Sequence, residues 1–326
     1  MSNPDPVVNI VLRSSDGVRF PVHTSLLSQA SPVFRDMFSV PQPNSSLNSD
    51  ASTDPIDLSE SSETIRLILS LCWHTDVTSL LIDSLSHIAN LLQAADKYDM
   101  KTIRKHAFNS LTQPKFLENV PLRVYAIACR YGAPDTAVLA ARHTLRFPLL
   151  HAEYFPELEL VDGGTIYRVL RYHKQCTAAA LKVATKHTWI RHAYVFFDFS
   201  EAGSDEDEDE KVGTHTTRIG TYPSPKHKNG FLKVVSVHPW WTKFMNATKV
   251  ALTESICSET IRDKDRVREA LSSATQCSQC RKRVESDFSK FLDAYVNELE
   301  ARVDEVSAYV PLFFFLSADP VVHWII

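Results

Sequence analysis

The sequence predicts an α+β fold, with a small N-terminal sheet capped by helices and a mainly α-helical C-terminal region. Two observations carry this prediction. Near the N-terminus, apolar and polar residues alternate beside a turn, which is typical of a hairpin with one buried face. In several stretches between residues 64 and 310, apolar residues recur at spacings of three and four, as in amphipathic helices.

The hairpin is predicted from its second strand and its turn. Every second residue from Val18 to Val22 is apolar, with Arg19 and Pro21 between them. The segment SSDG at residues 14–17 supplies the turn, in which Gly17 is free to adopt a positive φ. The two strands are therefore joined by a tight connection.

Two short helices are predicted directly after the hairpin. Thr24 or Ser25 is placed to cap the first helix, and Ser31 caps the second, which has Pro32 at its first position. The second helix carries its large apolar residues on one side. These residues are Val33, Phe34, Met37 and Phe38.

The next segments complete a first domain that ends near residue 112. Residues 40–55 are rich in Pro, Ser, Asn and Asp, which predicts a surface loop. A short strand is predicted at 55–58 and a largely buried helix at 64–72. Helical spacing of apolar residues then continues from Leu85 to Leu111.

This order of elements resembles the BTB/POZ domain. The family pattern is a strand, an S-x-D-G-x-x-F turn and then H-x-x-x-L-x-x-x-S-x-x-F-x-x-M-F. It is met by Ser14 or Ser15, Asp16, Gly17, Phe20, His23, Leu27, Ser31, Phe34, Met37 and Phe38. The A-x-x-Y-x-M element of the family is met by residues 95–100. The helical segments that follow resemble BTB proteins of mushroom-forming fungi.

The resemblance implies protein binding, either as a homodimer through the BTB domain or with another protein. It implies that the helices of residues 26–38 form the contact surface. The side chains expected to carry it are Leu26, Phe34, Met37 and Phe38. The implied function is an adaptor or scaffold, including one for a cullin-type ubiquitin ligase. The alternative is a transcriptional regulator that acts through a DNA-binding partner.

Two departures from the family pattern bear on these alternatives. Asn9 stands where many members have Asp, and Thr24 stands where several transcriptional members have a basic residue. The charged pocket linked to co-repressor binding is thus absent. After Phe38, the chain also lacks the hydrophobic-x-Glu element found in many cullin adaptors.

Three further regions are predicted after the first domain. Residues 113–198 form a helical extension, in which Gly132 ends one helix. Residues 199–230 form an acidic loop around the run EAGSDEDEDE, where repulsion between like charges favours disorder. Residues 231–326 form a helical C-terminal region, with a short strand at 231–237 and a long helix from 281 to 310.

Composition and motifs argue against several classes of function. The net charge of −4 gives no reason to expect direct binding of nucleic acid. The chain contains only eight glycines and no G-x-S-x-G, H-E-x-x-H or Walker-type motif, so the sequence predicts no enzyme, cofactor or small-molecule substrate. No secretory signal or membrane span is recognisable, which predicts an intracellular protein, nuclear or cytoplasmic, with its six cysteines as thiols.

One spacing is typical of metal ligands. Cys277 and Cys280 form a C-x-x-C pair, but a structural zinc site needs four ligands. The missing ligands would have to come from Cys257, Cys176, His173 or His238, and none of them supplies a second paired motif. The sequence therefore predicts no metal site and leaves Cys277, Cys280 and Cys257 as candidates only.

Overall fold

The structure is a computed structural model that divides the chain into two compact units. Unit 1 comprises Met1–Ala140 and Phe155–Val161, and unit 2 comprises Ala141–Tyr154 and Asp162–Ile326. The residues that the structure describes are 10–39, 55–73, 82–190, 196–200, 217–223, 232–278 and 280–315. The loop predicted at 40–55 and the acidic run at 201–210 lie almost entirely outside these ranges.

Unit 1 begins with a three-stranded sheet of order β2-β1-β3. Strands β1 (Ile10–Arg13) and β2 (Arg19–Val22) are antiparallel, and β3 (Ile56–Asp57) lies parallel to β1. The predicted turn joins β1 to β2, and Gly17 adopts a φ of +82°. The sheet carries its buried side chains, Leu12 and Val22, toward the helices.

Five helices of unit 1 cover this sheet and form the core. They are α1 (Thr24–Ala30), α2 (Pro32–Ser39), α3 (Ser62–Trp73), α4 (Leu85–Lys97) and α5 (Lys101–Leu111). Their most deeply buried apolar side chains include Leu27, Ile65, Ile88, Leu91 and Leu92, all at most 2% exposed. The small sheet and its covering helices fit the predicted α+β class.

The first compact unit extends beyond the predicted boundary at residue 112. Helices α6 (Pro114–Asn119) and α7 (Pro121–Arg130) belong to unit 1, and α8 (Pro134–Thr144) contains the point where unit 1 ends. After Gly132, which ends α7 with a φ of +66°, Ala133 N–H donates to the Ala128 carbonyl at 2.8 Å. A 3-10 segment at Pro156–Leu160 packs against α7, so residues 155–161 also belong to unit 1.

Unit 2 is built on two long helices. These are α9 (Gly163–Thr185) and α13 (Val284–Phe315), which pack together and share a hydrogen bond of 2.9 Å between the Tyr172 and Ser307 hydroxyls. Three shorter helices accompany them. They are α10 (Pro239–Ala251), α11 (Ser258–Ile261) and α12 (Lys264–Ala274).

Unit 2 also contains a three-stranded sheet, of which the sequence predicts one strand. The antiparallel strands are β4 (Phe197–Ser200), β5 (Thr217–Pro223) and β6 (Leu232–Val237), in the order β4-β6-β5. Strand β6 confirms the prediction at 231–237. Strand β5 lies inside the predicted loop of 199–230 and pairs with β6, with an irregularity in the register between Arg218 and Gly220.

Candidate interaction surface and sulfur–imidazole cluster

The start of helix α2 is fixed by Ser31. The Phe34 N–H donates to the Ser31 side-chain oxygen at 3.1 Å, and the Ser31 hydroxyl donates to the Tyr98 carbonyl at 2.5 Å. Ser31 therefore caps α2, as the sequence predicts, and ties it to the end of α4. Helix α1 differs from the prediction: its cap position is His23, which makes no side-chain capping bond, and Thr24 is already helical.

Helix α2 presents two apolar edges. Phe34 and Phe38 lie one turn apart on the inner edge, with their rings 5.7 Å apart, and Phe34 stacks on Tyr98 at 4.5 Å. Val33 and Met37 are also one turn apart and form the outer edge, since each precedes a phenylalanine of the inner edge by one residue. Val33 is 37% exposed and Met37 is partly exposed. The outer edge therefore remains available to a partner.

The four side chains predicted to bind a partner are placed differently from one another. Phe34 is 1% exposed and is a core residue in this conformation. Leu26, Met37 and Phe38 are each partly exposed. Val33 is not among the predicted contact residues. The sequence signal for it is its position one helical turn before Met37. We define the α1–α2 surface as Leu26, Val33, Met37 and Phe38.

A polar network supports the core beneath this surface. Glu60 accepts hydrogen bonds from the Tyr98 hydroxyl at 2.7 Å and from the Lys97 ammonium at 2.9 Å. Burial raises the pKa of Glu60, but these hydrogen bonds outweigh it and hold the pKa below its usual value. Burial and the bond to Glu60 raise the pKa of Tyr98. The ring on which Phe34 stacks is thus held in one position.

The predicted turn also anchors helix α3. Asp16 accepts hydrogen bonds from the Ser62 N–H at 2.9 Å and from the Ser62 hydroxyl at 2.6 Å. Hydrogen bonds from Ser14 and Ser62 lower the pKa of Asp16 to about 2. The aspartate of the S-x-D-G turn therefore joins the hairpin to the first long helix of unit 1.

Three potential metal ligands come together in unit 2. The ligand atoms of His238, Cys277 and Cys280 all lie within 4.8 Å of one another. The pKa of Cys280 is raised to about 11, chiefly by burial. The neighbouring Cys277 also raises this pKa, and the Trp240 indole lowers it. Cys257 does not belong to this cluster, and its sulfur lies 3.3 Å from the Thr260 hydroxyl.

Neither of the other two donors considered in the sequence joins this cluster. Cys176 is buried in α9, where burial raises the pKa of its thiol. His173 forms hydrogen bonds with the backbone of Thr144 and Phe147, while burial lowers the pKa of its imidazole. Of the candidates named from the sequence, His238 alone reaches the C-x-x-C pair within the described residues.

A groove of about 680 Å³ runs between α9 and α13. Its charged side chains include Glu298, Arg302 and Glu305, and Arg302 pairs with both carboxylates at 2.8 and 2.7 Å. The described residues that line it include no Cys, His or Asp. Lys182 and Lys186 add two further charged side chains to its lining.

Comparisons with known proteins concern the N-terminal part of the chain. Residues 1–115 match the family model described as BTB/POZ domain. No curated protein matches the chain. BTB/POZ domains are non-enzymatic modules that generally mediate protein–protein interaction and often form homodimers. Within the described ranges, no helix combines the length and apolar character needed to cross a membrane.

Proposed function

We propose that this chain, whose residues 1–115 form a BTB/POZ domain, is a self-associating adaptor or scaffold for protein partners. The observation that supports the proposal is the outer edge of α2, where Val33 is exposed and Met37 is partly exposed, together with the partly exposed Leu26 of α1 and Phe38 of α2. The occupant of this α1–α2 surface is a second copy of the chain, because domains of this class often form homodimers.

The size of the apolar effect sets how the surface should be tested. Burying a fully exposed Val or Met side chain contributes about 1.5–3 kcal/mol, and these two residues are already mostly covered. They supply roughly 1–2 kcal/mol together, while micromolar affinity corresponds to about 8 kcal/mol. Truncation to alanine would therefore weaken a dimer only modestly. A carboxylate buried without a partner costs several kcal/mol and is the decisive substitution.

The partner class that we propose is a cullin-type ubiquitin ligase, for which a dimeric BTB protein would present a bound protein. The alternative is a transcriptional regulator recruited by a DNA-binding protein. Both roles require an intracellular chain, nuclear or cytoplasmic. The resemblance of residues 9–38 to the family supports either role. Thr24 argues against the regulator, and the missing hydrophobic-x-Glu element after Phe38 argues against the cullin adaptor.

Affinity capture with the full-length chain distinguishes the two roles. Baits are the wild-type protein and the Val33→Glu/Met37→Glu variant, with Val120→Glu as the control. Val120 is also an apolar residue of unit 1 and is 40% exposed, but it lies outside α1 and α2. The adaptor role predicts recovery of cullin and other ubiquitin-ligase components with wild type and with Val120→Glu.

Recovery of chromatin proteins without ligase components would replace the adaptor role with the regulator. Recovery of the same partners by Val33→Glu/Met37→Glu as by wild type would show that binding does not depend on the α1–α2 surface. Circular dichroism of each bait verifies that loss of a partner does not reflect loss of the fold.

A further inference from the structure

We call His238, Cys277 and Cys280 the sulfur–imidazole cluster. Two separate turns of unit 2 bring these three residues together. Cys277 follows α12, where its N–H donates to the Ala274 carbonyl at 3.1 Å. Cys280 begins a short 3-10 segment that leads into α13. His238 occupies the cap position of α10, immediately after β6, and its N–H donates to the Phe196 carbonyl at 3.3 Å. Each of the three residues is thus held by its backbone.

Aromatic packing fixes the distance between these turns. Trp240, two residues after His238, meets Phe288 of α13 edge to face at 5.5 Å and Phe196 at 5.1 Å. Trp241 meets Phe291 at 5.7 Å. Because these rings join the first turn of α10 to the start of α13, His238 stays beside the C-x-x-C turn.

The surroundings of the donors are those of an enclosed site. His238 is 8% exposed and Cys280 is fully buried, while Cys277 is partly exposed and leaves a path from solvent. The indole N–H of Trp240 is buried without a regular hydrogen-bond acceptor in the described part of the chain.

The donor set matches zinc in chemistry and in distance. Two cysteine sulfurs and an imidazole nitrogen are the ligands that Zn²⁺ takes in protein sites, and harder cations such as Mg²⁺ and Ca²⁺ prefer oxygen. In a tetrahedral site with Zn–S bonds of about 2.3 Å, the two sulfurs lie about 3.8 Å apart. The ligand atoms are within 4.8 Å of one another, so side-chain movements of about 1 Å are enough.

We propose that His238, Cys277 and Cys280 bind one Zn²⁺ ion, which fastens the start of α10 to the turn between α12 and α13. Both cysteines bind as thiolates, so two protons pass to solvent, and His238 binds as the neutral imidazole. A water molecule fills the fourth position, so the coordination is that of an open three-ligand site and not of the closed four-ligand structural sites. The sequence alone argued against this site because no second paired motif is visible.

Metal analysis of the purified full-length chain tests the proposal. After incubation with zinc under reducing conditions and desalting, wild type is expected to retain about one zinc per chain. Cys277→Ser and His238→Ala are expected to retain less than about a fifth of that amount, since each leaves only two protein ligands. Cys257→Ser is the matched control and is expected to retain the full amount, because Cys257 lies outside the cluster.

Spectroscopy on the wild-type chain keeps the test independent of variant folding. Cobalt in place of zinc is expected to give the near-ultraviolet absorption of thiolate-to-cobalt charge transfer. X-ray absorption at the zinc edge is expected to give two sulfurs at about 2.3 Å and lighter ligands at about 2.0–2.1 Å. The proposal is overturned if wild type retains no zinc and shows no cobalt–thiolate band. It is also overturned if Cys257→Ser loses as much zinc as Cys277→Ser.

Discussion

Replacing Arg123 with alanine is expected to release the segment 155–161 from unit 1. The Arg123 guanidinium donates two hydrogen bonds to the Glu157 carboxylate, at 2.8 and 2.6 Å, and a third to the Ser86 hydroxyl at 2.9 Å. This forked pair joins α7 to a segment that begins some 25 residues after the end of that helix. Removing this pair therefore tests whether it holds residues 155–161 in the first unit.

The magnitude follows from the unequal burial of the two partners. The Glu157 side chain is 6% exposed and that of Arg123 is 26% exposed. Breaking a buried pair by removing one partner costs about 3–5 kcal/mol, and partial access of water to the arginine lowers this to about 2–3 kcal/mol for Arg123→Ala. Glu157→Ala should cost less, about 1–2 kcal/mol, because the remaining arginine can turn toward water.

Urea unfolding of the full-length chain, followed by circular dichroism, measures these changes in the free energy of unfolding. Hydrogen exchange of a peptide that covers 155–161 reports the local release. Arg142→Ala is the matched control, since its pair with Asp304 is exposed on both sides and should contribute about 0–1 kcal/mol. If Arg123→Ala costs no more than Arg142→Ala, or leaves exchange at 155–161 unchanged, the reasoning about this pair is refuted.

Two further predictions concern the backbone and the pH dependence. Gly132→Ala should lower the free energy of unfolding by about 1 kcal/mol, because Gly132 has a positive φ. Gly163→Ala should raise the free energy of unfolding by about 0.4–1 kcal/mol, because Gly163 is helical and has open space around it. Thermal unfolding that shifts both variants in the same direction would contradict this. The pKa of Asp16 is lowered to about 2 by Ser14 and Ser62, so its stabilisation is present above the unfolded value near 4 and is lost as the pH falls toward 2. Wild type should therefore lose more stability than Asp16→Asn between pH 4 and pH 2, and equal losses would show that Asp16 does not stabilise the fold.

Local sequence signals were sufficient for most of unit 1. The turn before Gly17, the Ser31 cap and the helix end at Gly132 each depend on residues within a few positions of one another, and all three are confirmed. The cap of α1 was missed, because the cap position is set by backbone geometry and His23 carries no capping signal. Residues 1–115 match the BTB/POZ domain family, while the end of a first domain near residue 112 stays a prediction.

Features that depend on distant contacts could not be predicted. Glu157 is one acidic residue among many, and nothing near it in sequence indicates that it pairs with Arg123, 34 positions away. His238 reaches Cys277 through the packing of α10 on α13, which no local pattern encodes. Phe34 and Val33 are adjacent apolar residues of one helix, and only the position of Tyr98 decides that Phe34 is the buried one.

Sedimentation velocity tests the central claim that the BTB/POZ unit self-associates through the α1–α2 surface. At micromolar concentrations, wild type and Val120→Glu are expected to sediment with twice the monomer mass of 36.8 kDa. The Val33→Glu/Met37→Glu variant is expected to sediment as a monomer with an unchanged circular dichroism spectrum. A wild-type chain that stays monomeric at all concentrations, or a variant that dimerises as wild type does, would contradict the account.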